Sequence, residues 1–181
     1  MNVDRFVENI IEQIKEAQLK LGYVKEVIRL YYPVESLNSL LQTDYKSGSE
    51  LIAGLESNPA ISRTLLGALS VSLCKGDRIA VSIPPEGAEY VEQNVPDPEF
   101  LAAIIALFQK KHDLTIEEIC HCFESFNPHY VCEKMKPQND FDYVLYFPDK
   151  KPDCWYYCVR MEMGHTIYHR FMEEDYRLLL Q

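Results

Sequence analysis

The residues best suited to chemistry lie together near the carboxyl end, in the segment CWYYCVRMEMGHTIYHRF at 154–171. Two cysteines stand four residues apart, two histidines stand four residues apart, and a Met-Gly pair separates them. Thiolates and imidazoles are ligands that zinc prefers, and a Cys–His pair can also act as a nucleophile with its base. The segment therefore raises two chemical hypotheses, a zinc-binding protein and a cysteine/histidine-dependent enzyme, against a third in which it is an ordinary β-hairpin.

The spacing favours the plain hairpin. A two-residue turn at Met163-Gly164 places Cys158 opposite His169, with β-carbons about 5 Å apart, which suits one zinc ion. Cys154 then lies too far along straight strand to join them, whereas zinc-binding cysteines usually stand as close pairs on turns. Cys158 and His169 are thus the metal candidates, yet we predict a hairpin that holds no metal or cofactor.

The two faces of this hairpin are predicted to differ. Strand alternation places Trp155 and Tyr157 on the face that turns toward the core. The other face carries a Glu162–His165 pair, and we expect the Cys158 thiol there to be buried beneath a neighbouring element.

Two further groups of cysteines are less suited to metal binding or catalysis. Residues two apart on a helix point about 200° away from each other, so Cys120 and Cys122 cannot chelate one ion, and Cys120 is predicted to be a small buried hydrophobe. Cys132 and His129 stand three apart on a predicted short helix and form a second possible nucleophile–base pair. Neither spacing marks a protease or redox family, and the sequence contains no P-loop, nucleophile elbow or dinucleotide-binding glycine motif. We therefore predict no catalytic residue.

The elements that must position these residues alternate between helices and hairpins. Apolar residues at helical spacing predict a helix over 3–21, and β-branched and aromatic runs on either side of Lys75-Gly76 predict a hairpin. Because the strand pairs have connections too short for crossover helices, we predict an α+β fold with helices packed on antiparallel hairpins. A Pro-containing stretch divides the chain into an N-terminal half, 1–96, and a C-terminal half, 97–181, which we expect to pack as one unit.

The second half also matches a winged helix-turn-helix, with a recognition helix over 128–136 and a wing at the loop 148–153. In that alternative the chain is a DNA-binding regulator. Its phosphate contacts would come from four lysines, Lys134, Lys136, Lys150 and Lys151.

Composition argues against nucleic acid as a partner. The chain of 181 residues has a formal net charge of −10, and its acidic residues are spread along its length. An acidic protein is repelled by phosphate backbones. The longest apolar run, FLAAIIALF at 100–108, is half the length that spans a bilayer, and the pattern of the first residues leads us to expect no secretory signal. We expect a cytoplasmic protein with reduced thiols and no membrane association.

Three stretches, 20–37, 76–91 and 168–176, resemble an uncharacterised family of small bacterial proteins, a domain of unknown function. The resemblance implies a bacterial setting and transfers no activity. With 12 tyrosines, a residue type favoured at interfaces, and no catalytic motif, the chain is expected to be a non-catalytic interaction or regulatory module with a protein partner.

Overall fold

The computed structural model describes residues 1–181 and divides into two compact units, Met1–Asp97 and Pro98–Gln181. Seven α-helices accompany two antiparallel sheets, one of three strands and one of four. The predicted α+β class with antiparallel hairpins is therefore confirmed. None of the helices has both the length and the apolar character needed to cross a membrane.

The N-terminal unit packs four helices with a sheet of order β1-β3-β2. Its first helix begins where the Asn2 side chain accepts a hydrogen bond from the backbone N–H of Arg5, and it ends at Gly22, whose φ of 83° suits glycine. The predicted hairpin at Lys75-Gly76 is present between β2 and β3. The elements are α1 (Val3–Leu21), β1 (Ile28–Pro33), α2 (Val34–Leu41), α3 (Gly48–Glu56), a short 3-10 helix (Ile61–Arg63), β2 (Ser70–Cys74), β3 (Arg78–Ile83) and α4 (Pro85–Asn94).

The C-terminal unit places two helices before a four-stranded sheet of order β4-β5-β6-β7, and a short helix ends it. A capping box begins the second of these helices, because Thr115 and Glu118 each accept a hydrogen bond from the other's backbone N–H. The elements are α5 (Glu99–Lys110), α6 (Ile116–Phe126), β4 (Val131–Lys134), β5 (Tyr143–Tyr146), β6 (Tyr156–Glu162), β7 (His165–Phe171) and α7 (Glu173–Leu179).

The predicted recognition helix over 128–136 is wrong, because Val131–Lys134 is strand β4 and pairs with β5. Asn127 accepts a hydrogen bond from the backbone N–H of His129 and donates one to the carbonyl of Lys151. It thereby holds a turn that leads into the sheet. The winged-helix arrangement that required this helix is not confirmed.

Aromatic rings form the core of the C-terminal unit. Phe123 of α6 is fully buried, and its ring centroid lies 4.9 Å from Phe100, 5.0 Å from Phe147 and 5.4 Å from Tyr157. This cluster joins α5 and α6 to the face of the sheet that carries Tyr157, so it fixes one side of the β6–β7 hairpin.

Candidate interaction surface at the C-terminal hairpin

The hairpin of β6 and β7 has the predicted register, with Cys158 opposite His169. Its turn consists of Met163 and Gly164, whose φ angles are 51° and 77°. Positive φ at both central residues is the geometry of a type I′ turn, which matches the twist of the flanking strands. The turn therefore fixes which side chains share a face along both strands.

Glu162 and His165 are paired across the strands as predicted, but their side chains do not form the expected pair. The two residues are directly opposite each other, but the Glu162 carboxylate forms an ion pair with the Arg160 guanidinium at 2.6 Å. The His165 ring lies 6.2 Å from the ring of His112. The carboxylate is thus engaged along its own strand.

A buried polar network lies at the end of the hairpin remote from the turn, and we call it the hairpin base (Asp153, Trp155, Tyr157 and Arg170). The Tyr157 hydroxyl donates to Asp153 Oδ2 at 2.8 Å, and the Trp155 backbone N–H donates to Asp153 Oδ1 at 2.7 Å. The Arg170 guanidinium lies 4.5 Å from the centre of the Trp155 ring, and its Nη1 is 3.8 Å from Asp153 Oδ2. Both charged side chains are at least nine-tenths buried. The Trp155 ring and the Tyr157 hydroxyl therefore contact these charges in place of water.

Burial, reinforced by the nearby Asp153 carboxylate, raises the pKa of Tyr157 well above its usual value. The phenol therefore remains a hydrogen-bond donor throughout the physiological range. This network was not predicted, although the predicted register also places Arg170 directly opposite Tyr157.

The other face of the hairpin is covered near its base. The rings of Tyr146 and Tyr156 stack at 4.6 Å, and the ring of Tyr176 from α7 stacks on Tyr156 at 4.6 Å. Cys158 lies in the same cluster and is fully buried, as predicted. Burial raises the pKa of this thiol to about 12, so it stays protonated near neutral pH, where a metal ligand or a nucleophile must be a thiolate.

His169 is exposed on this face, and its ring lies 5.5 Å from the ring of Phe141 and 6.5 Å from that of Phe171. No group of three or more His, Cys, Asp or Glu side chains is placed to hold a metal ion. The predicted pair of Cys158 and His169 therefore offers at most two ligands, one of them a protonated thiol.

The turn end of the hairpin is different, and we call residues 160–167 the hairpin tip. Met163 is 93% exposed, Ile167 is 47% exposed and Met161 is 36% exposed. A shallow recess of about 260 Å³ lies beside Met163 and Ile167, and the residues that line it are Arg160, Glu162, Met163, His165 and Ile167. The tip thus presents apolar side chains to solvent, with one ion pair and one histidine at its edge.

The four lysines predicted as phosphate contacts lie in two places. Lys134 pairs with the first residue of β5 and Lys136 follows it, whereas Lys150 and Lys151 come after the last residue of β5. Lys150 is also bound to the Glu173 carboxylate at 3.0 Å. The two pairs are therefore separated by the length of a strand rather than gathered into one basic patch.

Two further cysteines lie on α6 and β4, Cys120 and Cys132. Burial raises the pKa of the Cys132 thiol to about 12, and the Cys120 thiol adds to this increase. Cys120, predicted to be a small buried hydrophobe, is partly buried. The predicted helical pairing of Cys132 with His129 is also wrong, because Cys132 lies in β4 and His129 in the turn before it.

Comparison with known proteins supports the resemblance seen in the sequence. The model of a family described as "Domain of unknown function, E. rectale Gene description (DUF3877)" matches residues 3–180. The chain belongs to the DUF3877 family. No curated protein and no solved structure matches it. Membership in DUF3877 places the chain among bacterial proteins and brings no assigned activity or site residue.

Proposed function

We propose that this DUF3877 protein is a protein-interaction module that binds its partner through the hairpin tip. The observation that carries the proposal is the exposure of Met163 and Ile167, two apolar side chains that line one recess at the turn end of the hairpin. Exposed apolar side chains grouped around a recess are typical of a binding surface, whereas single exposed apolar residues are not.

The chemistry of the tip suits a protein ligand. Methionine is flexible and polarizable, so it adapts to irregular partner surfaces, and it is common where one surface binds several segments. The type I′ turn holds the backbone beneath Met163 in one conformation, which lowers the entropy lost on binding. A recess of about 260 Å³ accommodates one aliphatic or aromatic side chain of a partner.

The net negative charge of the C-terminal unit indicates which kind of protein it would bind. Between Pro98 and Gln181 the chain has 14 Asp and Glu residues against nine Lys and Arg residues. An acidic surface accelerates association with a basic partner and slows it with an acidic one. The partner is therefore a protein that presents an apolar side chain beside cationic residues, and its association rate falls as salt is added.

Site-specific photocrosslinking in the native cell tests the proposal. A photoreactive amino acid replaces Met163 in the full chain, and a matched control carries it at Leu73, which is 50% exposed on β2 of the N-terminal unit. We expect a discrete crosslinked protein at position 163 that is absent at position 73. The captured protein, once purified, should bind the unmodified chain with an association rate that decreases with ionic strength.

Two results would overturn the proposal. One is a position-163 crosslinking pattern that is the same as that at position 73. The other is a captured protein that binds equally well after Met163→Asn and Ile167→Thr are combined, since these changes remove the apolar anchors and should weaken binding at least about tenfold.

A further inference from the structure

A cavity of about 330 Å³ lies within the N-terminal unit, between α1 and the segment 60–65 that contains the short 3-10 helix. On the helix side it is lined by Val3, Val7 and Ile11, which stand four residues apart and therefore form one row along α1. The exposed side chain of Leu65 lines it from the other side. A volume of this size with a largely apolar lining is typical of a site for a small molecule.

Hydrogen bonds outside the lining hold both walls of this cavity in place. The backbone N–H of Asn2 donates to the carbonyl of Leu41 at 2.7 Å, which ties the start of α1 to the end of α2. On the opposite wall, the Thr64 hydroxyl donates to the carbonyl of Gly67 at 2.6 Å and closes the turn that carries Leu65. The cavity is therefore formed before any ligand enters, as in most small-molecule sites.

Opposite charges line the two walls. The carboxylates of Asp4 and Glu8 belong to α1, whereas the Arg63 guanidinium belongs to the segment across the cavity. All three residues are exposed, and none of their side chains forms a hydrogen bond or an ion pair within the chain. The opposite charges therefore line one cavity but lie too far apart to form a salt bridge with each other.

We propose that this cavity binds a dipeptide with apolar side chains, its amino group at Asp4 and Glu8 and its carboxylate at Arg63. An ammonium group donates hydrogen bonds to carboxylates, and a guanidinium group donates two parallel hydrogen bonds to a carboxylate. A dipeptide separates its two charged ends by a peptide unit, so it can reach both walls. A single amino acid carries both charges on one carbon and cannot. The apolar side chains of the ligand pack on the row of α1 and on Leu65.

Titration of the untagged full chain with leucyl-leucine, followed by NMR of the backbone amides, tests the proposal. We expect saturable shifts in residues 3–11 and 60–65, with a dissociation constant on the order of 0.1–1 mM because the cavity is open to solvent on one side. Glycyl-glycine has the same charges without the apolar side chains and should bind at least about tenfold more weakly. N-acetyl-leucyl-leucine and leucyl-leucine amide each lack one charge and should each bind about three- to tenfold more weakly.

Variants that remove one charge assign each end of the ligand to its wall. Arg63→Gln should weaken binding of leucyl-leucine about three- to tenfold and leave the affinity for leucyl-leucine amide unchanged. Glu8→Gln should weaken leucyl-leucine in the same way and leave N-acetyl-leucyl-leucine unchanged. Arg78→Gln is the matched control, because Arg78 is an exposed arginine of β3 outside the cavity, and it should change neither affinity.

The ligand series on the unmodified chain is decisive even where a variant fails to fold. No saturable shift at about 10 mM leucyl-leucine, or shifts confined to residues outside the two walls, would overturn the proposal. Equal affinities for leucyl-leucine and glycyl-glycine, or for leucyl-leucine and its amide, would also overturn it. So would equal weakening by Arg63→Gln and Arg78→Gln.

Discussion

The base and the tip of the β6–β7 hairpin are built by the same two strands, yet their surroundings are opposite. At the base, Tyr157 packs in the aromatic core on one face while Cys158 is buried beneath Tyr156 and Tyr176 on the other. At the tip, Met163 is almost fully exposed. The register is continuous, so strand pairing alone does not determine the difference, which depends on the elements that cover each end. We infer that the base contributes most of the hairpin's stability, and our proposal assigns binding to the tip.

The largest effect should come from the core beneath the base. Phe123→Ala removes a fully buried ring that contacts Phe100, Phe147 and Tyr157, and we expect it to lower the free energy of unfolding by about 3–5 kcal/mol. Phe126→Ala is the matched control, because Phe126 also contacts Phe100 but is 37% exposed, and it should cost about 1 kcal/mol. Urea denaturation of both variants measures the difference, and equal losses would contradict the account.

The polar network of the base should be the next most sensitive. Tyr157→Phe keeps the ring but removes the donor to Asp153, and we expect a loss of about 1.5–3 kcal/mol because the acceptor is a buried carboxylate. Tyr146→Phe, which removes the hydroxyl of a partly exposed tyrosine, is the control and should change stability little.

We also expect Tyr157→Phe to alter how the stability of the protein depends on pH. The pKa of Tyr157 is raised in the folded protein, so the protonated phenol stabilises the fold fully below the unfolded value near 10, and that contribution is lost as the pH rises above it. The stability of Tyr157→Phe should therefore fall less steeply between about pH 10 and 11 than that of the unmodified chain. Parallel slopes in chemical denaturation at these pH values would show that Tyr157 does not titrate as described.

Part of this comparison could be predicted from the sequence. The helical period of 3–21 is a local signal, and the helix formed as expected. The Met163-Gly164 turn fixed the register of the hairpin, because a tight turn determines every pair beyond it.

The rest depends on contacts between distant segments. Residues 131–134 are too short for their period to separate helix from strand, and the backbone hydrogen bonds to β5 decide in favour of strand. The burial of Cys158 was predicted, but the covering element, α7, could not be identified, because alternation along β6 shows only which face carries the thiol. The hairpin base was missed for the same reason, because Asp153 precedes β6 and joins Tyr157 only through a side-chain hydrogen bond.

The turn lies within the hairpin tip, and Gly164 should be its most sensitive residue. Gly164→Val places a β-branched residue at a φ of 77°, and we expect a loss of about 1–3 kcal/mol. No atom lies within 4 Å of an added β-carbon, so the cost would come from the backbone conformation rather than from a clash. Met163→Asn should instead be neutral or stabilising by about 0.5 kcal/mol, since Asn-Gly is the preferred type I′ pair. Thermal unfolding of both variants checks the contrast in sign.

The smallest effect should be at the exposed histidine of the covered face. His169→Ala removes ring contacts with Phe141 and Phe171, and we expect a loss of about 0.5–1 kcal/mol. Calorimetry with and without a chelator measures it. A metal at Cys158 and His169 would be indicated by two results together: a much larger loss of stability in His169→Ala, and an equal loss when chelator is added to the unmodified chain.

The most direct measurement compares stability and affinity in one variant of the tip. The double variant Met163→Asn, Ile167→Thr keeps a turn-forming pair at 163–164 and a β-branched residue at position 167. Its free energy of unfolding and its dissociation constant for the captured partner are both measured. The account predicts a change in stability within about 0.5 kcal/mol together with at least a tenfold weaker complex. An unchanged dissociation constant at unchanged stability would contradict the assignment of binding to the hairpin tip.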